Sequence, residues 1–230
     1  MELVLVHGAW ADGSSWNEVI RVLQERDHRV TAVQLPMTSF EADVEATRRA
    51  VAAAAAPVVL VGHSYGGFVI SAAAVPPSAV RALVFVAAYA PEEHETVASI
   101  SRQGADMPGG HAIRYGEDGW TRVDPHGLGH ALAHDLPEAT QRVLAATQGP
   151  THVSCLTTPA GGSAWRTVPS HYVLATEDAI LDPELQEHFV GRLSGPATRL
   201  RASHLVIMSH PEEVAHAIET AVEQHLEVSA

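Results

Sequence analysis

Between Val58 and Gly67 an apolar run, Val58-Val59-Leu60-Val61, passes directly into Gly62-His63-Ser64-Tyr65-Gly66-Gly67 and then into Phe68 to Val75. Four aliphatic residues with no polar alternation read as a strand buried on both faces. Such a strand belongs in a parallel sheet covered by helices on either side. The G-x-S-x-G that follows fits a sharp strand-to-helix turn with the serine at its tip. Side chains at the flanking positions would collide with the adjoining strand and helix, which explains the glycines. The turn pushes the Ser64 hydroxyl out at the carboxyl edge of the sheet. There it faces the N-terminus of the next helix, which favours developing negative charge. Pro76-Pro77 closes that helix.

The rest of the chain repeats the alternation. Strands are expected at Leu3–Val6, Arg29–Leu35, Val80–Tyr89, 171–176 and near Ala197–Ala202. Helices are expected at 16–27 (with Asn17 or Ser15 as N-cap), 40–55, 137–147, about 183–192 and about 211–226. The pattern predicts an α/β fold, a mostly parallel sheet with helices on both faces, built from 1–89 and 171–230. Residues 90–170 interrupt it with Gly, Pro and His and no comparable apolar strand. They read as an inserted, mainly helical cap over the carboxyl edge of the sheet, with Gly161-Gly162 as a turn or hinge near its end.

Composition narrows the function. The chain has 230 residues, 46% of them hydrophobic, which supplies a full core for one domain. A formal charge of -13 repels phosphate backbones, so a nucleic-acid partner is not expected. The single cysteine, Cys155, forms no internal disulfide and no Cys-rich zinc site, and it reads as a small buried residue. No segment reaches the ~18 apolar residues of a membrane span, and the start lacks the marks of a signal peptide. The expected setting is the cytoplasm, without a membrane partner.

A serine becomes a nucleophile only beside a base that a carboxylate orients. When the serine comes first in the chain, the acid and then the histidine should follow late strands. Strand 171–176 is followed by Glu177 and Asp178, and the last strand by His204. Asp178 and His204 are the best acid and base. Glu177 and Asp182 are rival acids, and His210 a rival base. The oxyanion hole is expected from the backbone N–H groups of Tyr65 and of Ala9, in the loop after the first strand. Gly8, Trp10, Trp120 and Trp165 are candidate pocket residues, whereas Trp16 at a helix start reads as core. His126, His130 and His134 recur every four residues, but Gly127 and Gly129 interrupt any helix that would align them. No metal and no cofactor is expected, and His134 and Asp135 read as structural or pocket-lining.

The segments VHGAWADGSSW (6–16), VGHSYGG (61–67), LVFVAAYAP (83–91), HDLP (134–137), WRTVPSHYVLATEDAILDPELQ (165–186) and SHLVIMSHPEEVA (203–215) together resemble the α/β-hydrolase fold superfamily. Within it the chain is similar to the branch of plant hydroxynitrile lyases, methyl-salicylate-type methylesterases and bacterial EstC-type esterases. The resemblance implies Ser64, Asp178 and His204 as triad, and Ala9 and Tyr65 as oxyanion donors. It also implies a small substrate pocket under the cap, no metal, and often a homodimer. The lyases of this branch resemble one another in a threonine after the first-strand histidine and a lysine after the catalytic histidine. Here those positions are Gly8 and Leu205, and a glycine as at Gly8 is common in the esterases.

The expected function is a serine hydrolase cleaving a small, fairly apolar carboxylic ester or lactone, a small-molecule substrate, through an acyl-enzyme on Ser64. Two alternatives use the same pocket. One is a lyase, cyclase or acyltransferase on the same triad. The other is a receptor-type binding protein, for which a complete triad has no use.

Overall fold

The computed structural model describes residues 1–55, 57–74 and 79–226. The core strands are β1 (Glu2–Val6), β2 (Arg29–Val33), β3 (Val58–His63) and β4 (Val80–Val86). The core helices between them are α1 (Asn17–Glu25), α2 (Phe40–Ala53) and α3 (Tyr65–Ala73). The segment after β4 holds α4 (Val97–Ser101), β5 (Ile113–Tyr115), β6 (Trp120–Val123), α5 (Leu128–Leu132), α6 (Glu138–Thr147), β7 (Thr151–His152) and α7 (Val153–Thr157). The core resumes with β8 (Ser170–Ala175), α8 (Pro183–Arg192), β9 (Ala197–Leu200), α9 (Val206–Ser209) and α10 (Pro211–Leu226).

Six strands form one sheet in the order β2-β1-β3-β4-β8-β9, and every neighbouring pair is parallel. The chain steps from β1 outward to β2, then returns to place β3 on the other side of β1. That reversal opens a crevice between the carboxyl ends of β1 and β3, where open α/β sheets bind ligands.

The apolar runs are explained by burial on both faces. Val4, Val6, Leu60, Phe85 and Tyr172 pack with α2, α3 and α8 on one side. Their neighbours Leu3, Leu5, Val61, Val86 and Val173 pack with α1 and α10 on the other. Each strand thus fills two cores at once.

Several boundaries differ from expectation for local reasons. Asp12, not Ser15 or Asn17, caps the entry to the first helix, accepting from the Ser14 N–H at the head of a short 3-10 turn. Trp16 is fully buried in the core. Helix α3 starts at Tyr65, three residues early, because the turn at Ser64 leads straight into it. Its expected end at Val75 and Pro76-Pro77 lies outside the described residues. Pro137 is the N-cap of α6 rather than its first residue. The insertion is mainly helical but also holds a three-stranded antiparallel sheet, β5-β6-β7, that the sequence did not disclose. Its strands are two to four residues long and partly exposed, too short for alternation to register.

Among the described residues, no helix is long and apolar enough to cross a membrane.

Candidate active site

Three loops at the carboxyl edge converge. The first follows β3. Ser64 has φ 54 and ψ -122, outside the regions open to ordinary L-residues, at a cost of order 1–3 kcal/mol. The surroundings enforce this. Ser64 N–H donates to the Val86 carbonyl at 3.2 Å, and the Ser64 carbonyl accepts from Gly67 N–H at 3.0 Å and Tyr89 N–H at 3.2 Å. The glycines permit the turn by close approach. A Cβ at Gly62 would sit 2.5 Å from the Gly66 carbonyl, and one at Gly66 would run into the Val6 carbonyl oxygen.

The second loop follows β8 and carries Asp178, which is 3% exposed. Oδ1 accepts from the N–H groups of Ile180 and Leu181, both at 2.9 Å. Oδ2 accepts from Gln186 Nε2 at 3.0 Å and from His204 Nδ1 at 2.6 Å. A carboxylate only accepts, so Nδ1 carries the proton and Nε2 presents its lone pair. Ser64 Oγ lies 2.8 Å from that Nε2. The three side chains named from the sequence form one buried relay.

The third loop, after β9, carries His204 and is held from two sides. Ser203 N–H donates to Asp135 Oδ2 at 2.9 Å, and Leu205 N–H donates to the Leu132 carbonyl at 2.9 Å. From below, His63 Nε2 donates to the His204 carbonyl at 2.8 Å. His63 is 1% exposed. Burial, aided by the nearby His204, pushes its imidazole down to about 3. It therefore stays neutral, and among the described residues its Nδ1 has no hydrogen-bond partner.

The rival groups are occupied elsewhere. Glu177 pairs with Arg201 at 2.6 Å. Asp182 caps α8 and accepts from the Ala105 N–H at 2.7 Å. His210 bonds to its neighbour Ser209.

Two backbone donors complete the crevice. Tyr65 is the first residue of α3, so its N–H has no partner within the helix. Ala9 N–H, in the loop after β1, donates to no protein acceptor among the described residues. Both residues line the cavity that contains Ser64 and His204. Gly8 is packed against the serine, and a Cβ there would lie 2.8 Å from Ser64 Cβ. The cavity measures about 630 Å³ and is walled largely by apolar residues of the insertion, of the loop before α8 and of α8 itself, including Val97, Leu156, Ile180 and Leu185. A second cavity, of about 250 Å³, shares Ala9, Trp10 and His204 with the first.

Of the candidate pocket residues, Trp10 lines both cavities, Gly8 abuts Ser64, and Trp120 lines neither cavity. Trp165 and His134 lie away from both cavities. Trp165 Nε1 donates to the Pro91 carbonyl at 2.7 Å, and His134 Nε2 bonds to the Glu177 carbonyl at 2.8 Å. Their polar ring atoms tie segments of chain together. His126 sits in a turn before α5, His130 within it and His134 beyond its end, so they share no helix face. Among the described residues no group of three His, Cys, Asp or Glu side chains converges to hold a metal ion. Sequence reasoning missed Gln186, whereas Asp135, read as structural or pocket-lining, holds Ser203 beside the catalytic histidine. Gln186 is one polar residue among several on α8, and only the folded position of Asp178 reveals its task.

His63 and His7 make the fold sensitive to acid. Burial lowers both below the ordinary imidazole value. Below pH ~6.5 the unfolded chain therefore binds protons that the folded chain refuses, and stability falls with pH. For His63 the loss continues to about pH 3. At pH 5 it amounts to about 2 kcal/mol for this residue alone. His63→Gln, which keeps a donor for the His204 carbonyl but does not titrate, should flatten the fall in Tm between pH 7 and 5. Equal slopes in the two proteins would contradict the assignment.

Comparison with known proteins places this geometry in a lineage. The family model described as alpha/beta hydrolase family matches residues 3–217. The alpha/beta hydrolase nvfD of Aspergillus novofumigatus is 24% identical, over 98% of each chain. Esterase PIR7B of Oryza sativa subsp. japonica is 39% identical over 38% of this chain and 37% of its own. Among solved structures, a pyrethroid hydrolase from Sphingobium faniae JZ-2 superposes with a TM-score of 0.83 at 24% identity, covering 99% of both chains.

Proposed function

The chain belongs to the alpha/beta hydrolase family, and we propose that within it this protein cleaves a small, fairly apolar carboxylic ester or lactone through an acyl-enzyme on Ser64. The observation that carries the reading is the relay from Asp178 through His204 to Ser64, opening on a largely apolar cavity.

In the proposed reaction, Ser64 Oγ attacks the carbonyl carbon as His204 Nε2 takes its proton. The oxyanion forms between the Ala9 and Tyr65 amides, at the head of α3, where no reorganisation is needed to stabilise it. Asp178 stabilises the imidazolium. Its own charge is fixed by three further donors, from Ile180, Leu181 and Gln186, so it orients the ring without taking the proton. His204 then protonates the leaving oxygen. Water, deprotonated by the same nitrogen, releases the acid and restores the serine.

The largely apolar walls favour an uncharged acyl group, and the negative surface discourages polyanions. Gly8 and Leu205 leave no cation beside the triad to receive cyanide, so cyanohydrin cleavage is not the proposed reaction.

The test is hydrolysis of p-nitrophenyl butyrate, paired with stoichiometric inactivation by a fluorophosphonate. Saturable turnover and complete inactivation are expected. A folded protein that neither turns over the ester nor reacts with the phosphonate would overturn the reading and favour a binding protein.

A further inference from the structure

The segment 151–155, which is β7 and the start of α7, reaches both sides of the oxyanion hole. On one side is Trp10, next to the Ala9 donor. Trp10 N–H donates to Thr151 Oγ1 at 3.0 Å, and its indole Nε1 donates to Thr121 Oγ1 at 2.9 Å. The Thr121 hydroxyl commits its one proton to the Thr151 carbonyl, at 2.8 Å, so it meets the indole as an acceptor. Both threonines are buried, and they face each other across the β6-β7 pairing. On the other side is Tyr65. Its Oη donates to Asp43 Oδ2 at 2.8 Å, and Cys155 Sγ donates to the same oxygen at 3.5 Å. His152 N–H donates to the Met37 carbonyl at 2.9 Å, and Met37 N–H to Asp43 Oδ1 at 2.8 Å.

Trp10 has φ 58, a conformation that a bulky L-residue adopts only under constraint. The two buried hydroxyls supply that constraint. With the Trp10 N–H committed to Thr151, the neighbouring Ala9 N–H is the amide left without a protein acceptor among the described residues. A loop that relaxed at Trp10 would carry the Ala9 amide with it, and an oxyanion donor acts only within ~2.7–3.1 Å of the developing charge. A clamp holds only if it is itself fixed. The bonds to Met37 and Asp43 fix segment 151–155 to the core, and Asp43 also holds the second donor residue, Tyr65.

Resting on the ester-hydrolase reading, we propose that Thr151 and Thr121 are positioning residues of the oxyanion hole. They hold Trp10 in its left-handed conformation and so set the Ala9 amide for the tetrahedral intermediate. Neither threonine lines the cavity that contains Ser64, so they act through Trp10 and not by touching the substrate. The small antiparallel sheet is then part of the catalytic frame as well as of the cover over the pocket.

Thr151→Val tests this. Valine keeps the β-branched shape that a strand accepts and removes the acceptor of the Trp10 N–H. Activity is read per Ser64 titrated with the fluorophosphonate, so that a misfolded fraction does not count. For p-nitrophenyl butyrate, kcat should fall about tenfold to hundredfold, short of the ~10²–10³ lost when a donor is deleted outright, with KM within about twofold. The Ki of a trifluoromethyl ketone, whose adduct with Ser64 places an oxyanion in the hole, should rise by the same factor. Thr151→Ser keeps the hydroxyl and should hold kcat within about threefold of wild type. Thr121→Val, which removes the acceptor of the indole, should also lower kcat at constant KM, and it carries the test if Thr151→Val does not fold. An unchanged kcat and Ki, a loss carried by KM instead, or a serine variant as impaired as the valine one would overturn the positioning role.

A measurement without substrate separates this claim from hydrolysis itself. In 15N NMR, Thr151→Val should speed hydrogen exchange at the Trp10 amide by about tenfold or more and displace the Ala9 amide resonance. Thr151→Ser should leave both near wild type. Amides that respond in this way in a protein that turns over no ester would contradict the hydrolase reading and leave the clamp standing. Esters cleaved by a protein whose Ala9 and Trp10 amides ignore Thr151→Val would contradict the clamp and leave the hydrolase reading standing.

Discussion

Ser64→Ala should lower kcat for p-nitrophenyl butyrate by about 10⁶-fold, the scale seen when a triad nucleophile is removed. The reason is local. Ser64 Oγ is the hydroxyl held 2.8 Å from His204 Nε2. Water could use the same base, but it would lack the fixed approach to the carbonyl that the strained turn provides. The substitution should barely change stability. Alanine at φ 54 bears the same backbone strain as serine, and only one side-chain hydrogen bond is lost. The check is turnover beside a thermal melt. Residual activity within tenfold of wild type in a folded variant would remove Ser64 from the mechanism.

The second large effect is expected at Asp178. Asp178→Asn should lower kcat by about 10⁴-fold, through the histidine tautomer rather than through charge alone. Oδ1 faces two backbone N–H groups, so the asparagine oxygen must take that place. The new NH₂ then replaces Oδ2, facing His204 Nδ1 and Gln186 Nε2. To avoid donor against donor, His204 must carry its proton on Nε2, where it can no longer accept from Ser64. Asp182→Asn is the control. Asp182 bonds the Ala105 and Glu184 N–H groups, so its loss should cost about 1–3 kcal/mol of stability with turnover near wild type. A collapse of turnover in Asp182→Asn with Asp178→Asn spared would reverse the assignment.

The residues most legible in the sequence were those whose position follows from topology. Ser64, Asp178 and His204 each lie just past the end of a strand, and parallel strands deliver their carboxyl ends to one edge. Val58–Val61 could be read as a buried strand because it is buried on both faces, with alternate residues in the two cores. What could not be read depends on proximity in space. Gln186 matters only because Asp178 comes to lie beside it, and the Ser203 partner of Asp135, a residue read only as structural or pocket-lining, is likewise set by the fold. The β5-β6-β7 sheet escaped because three-residue Ile113–Tyr115 and two-residue Thr151–His152 show no period. Trp165, a pocket candidate, and His134, readable as structural or pocket-lining, line neither cavity. Their ring nitrogens are instead committed to the carbonyls of Pro91 and Glu177, which fix them outside both cavities. Trp10 was chosen for its place beside the oxyanion loop, but its left-handed backbone and its place along both cavities had no sequence signal.

The central claim is a covalent acyl group on Ser64. The direct measurement is acid quenching of the protein within the first turnover of p-nitrophenyl butyrate, followed by peptide mass mapping. The account predicts a butyryl group on the peptide carrying Ser64, absent from Ser64→Ala. Hydrolysis that proceeds with no acylated peptide under trapping conditions, or with butyryl on another side chain, would contradict it.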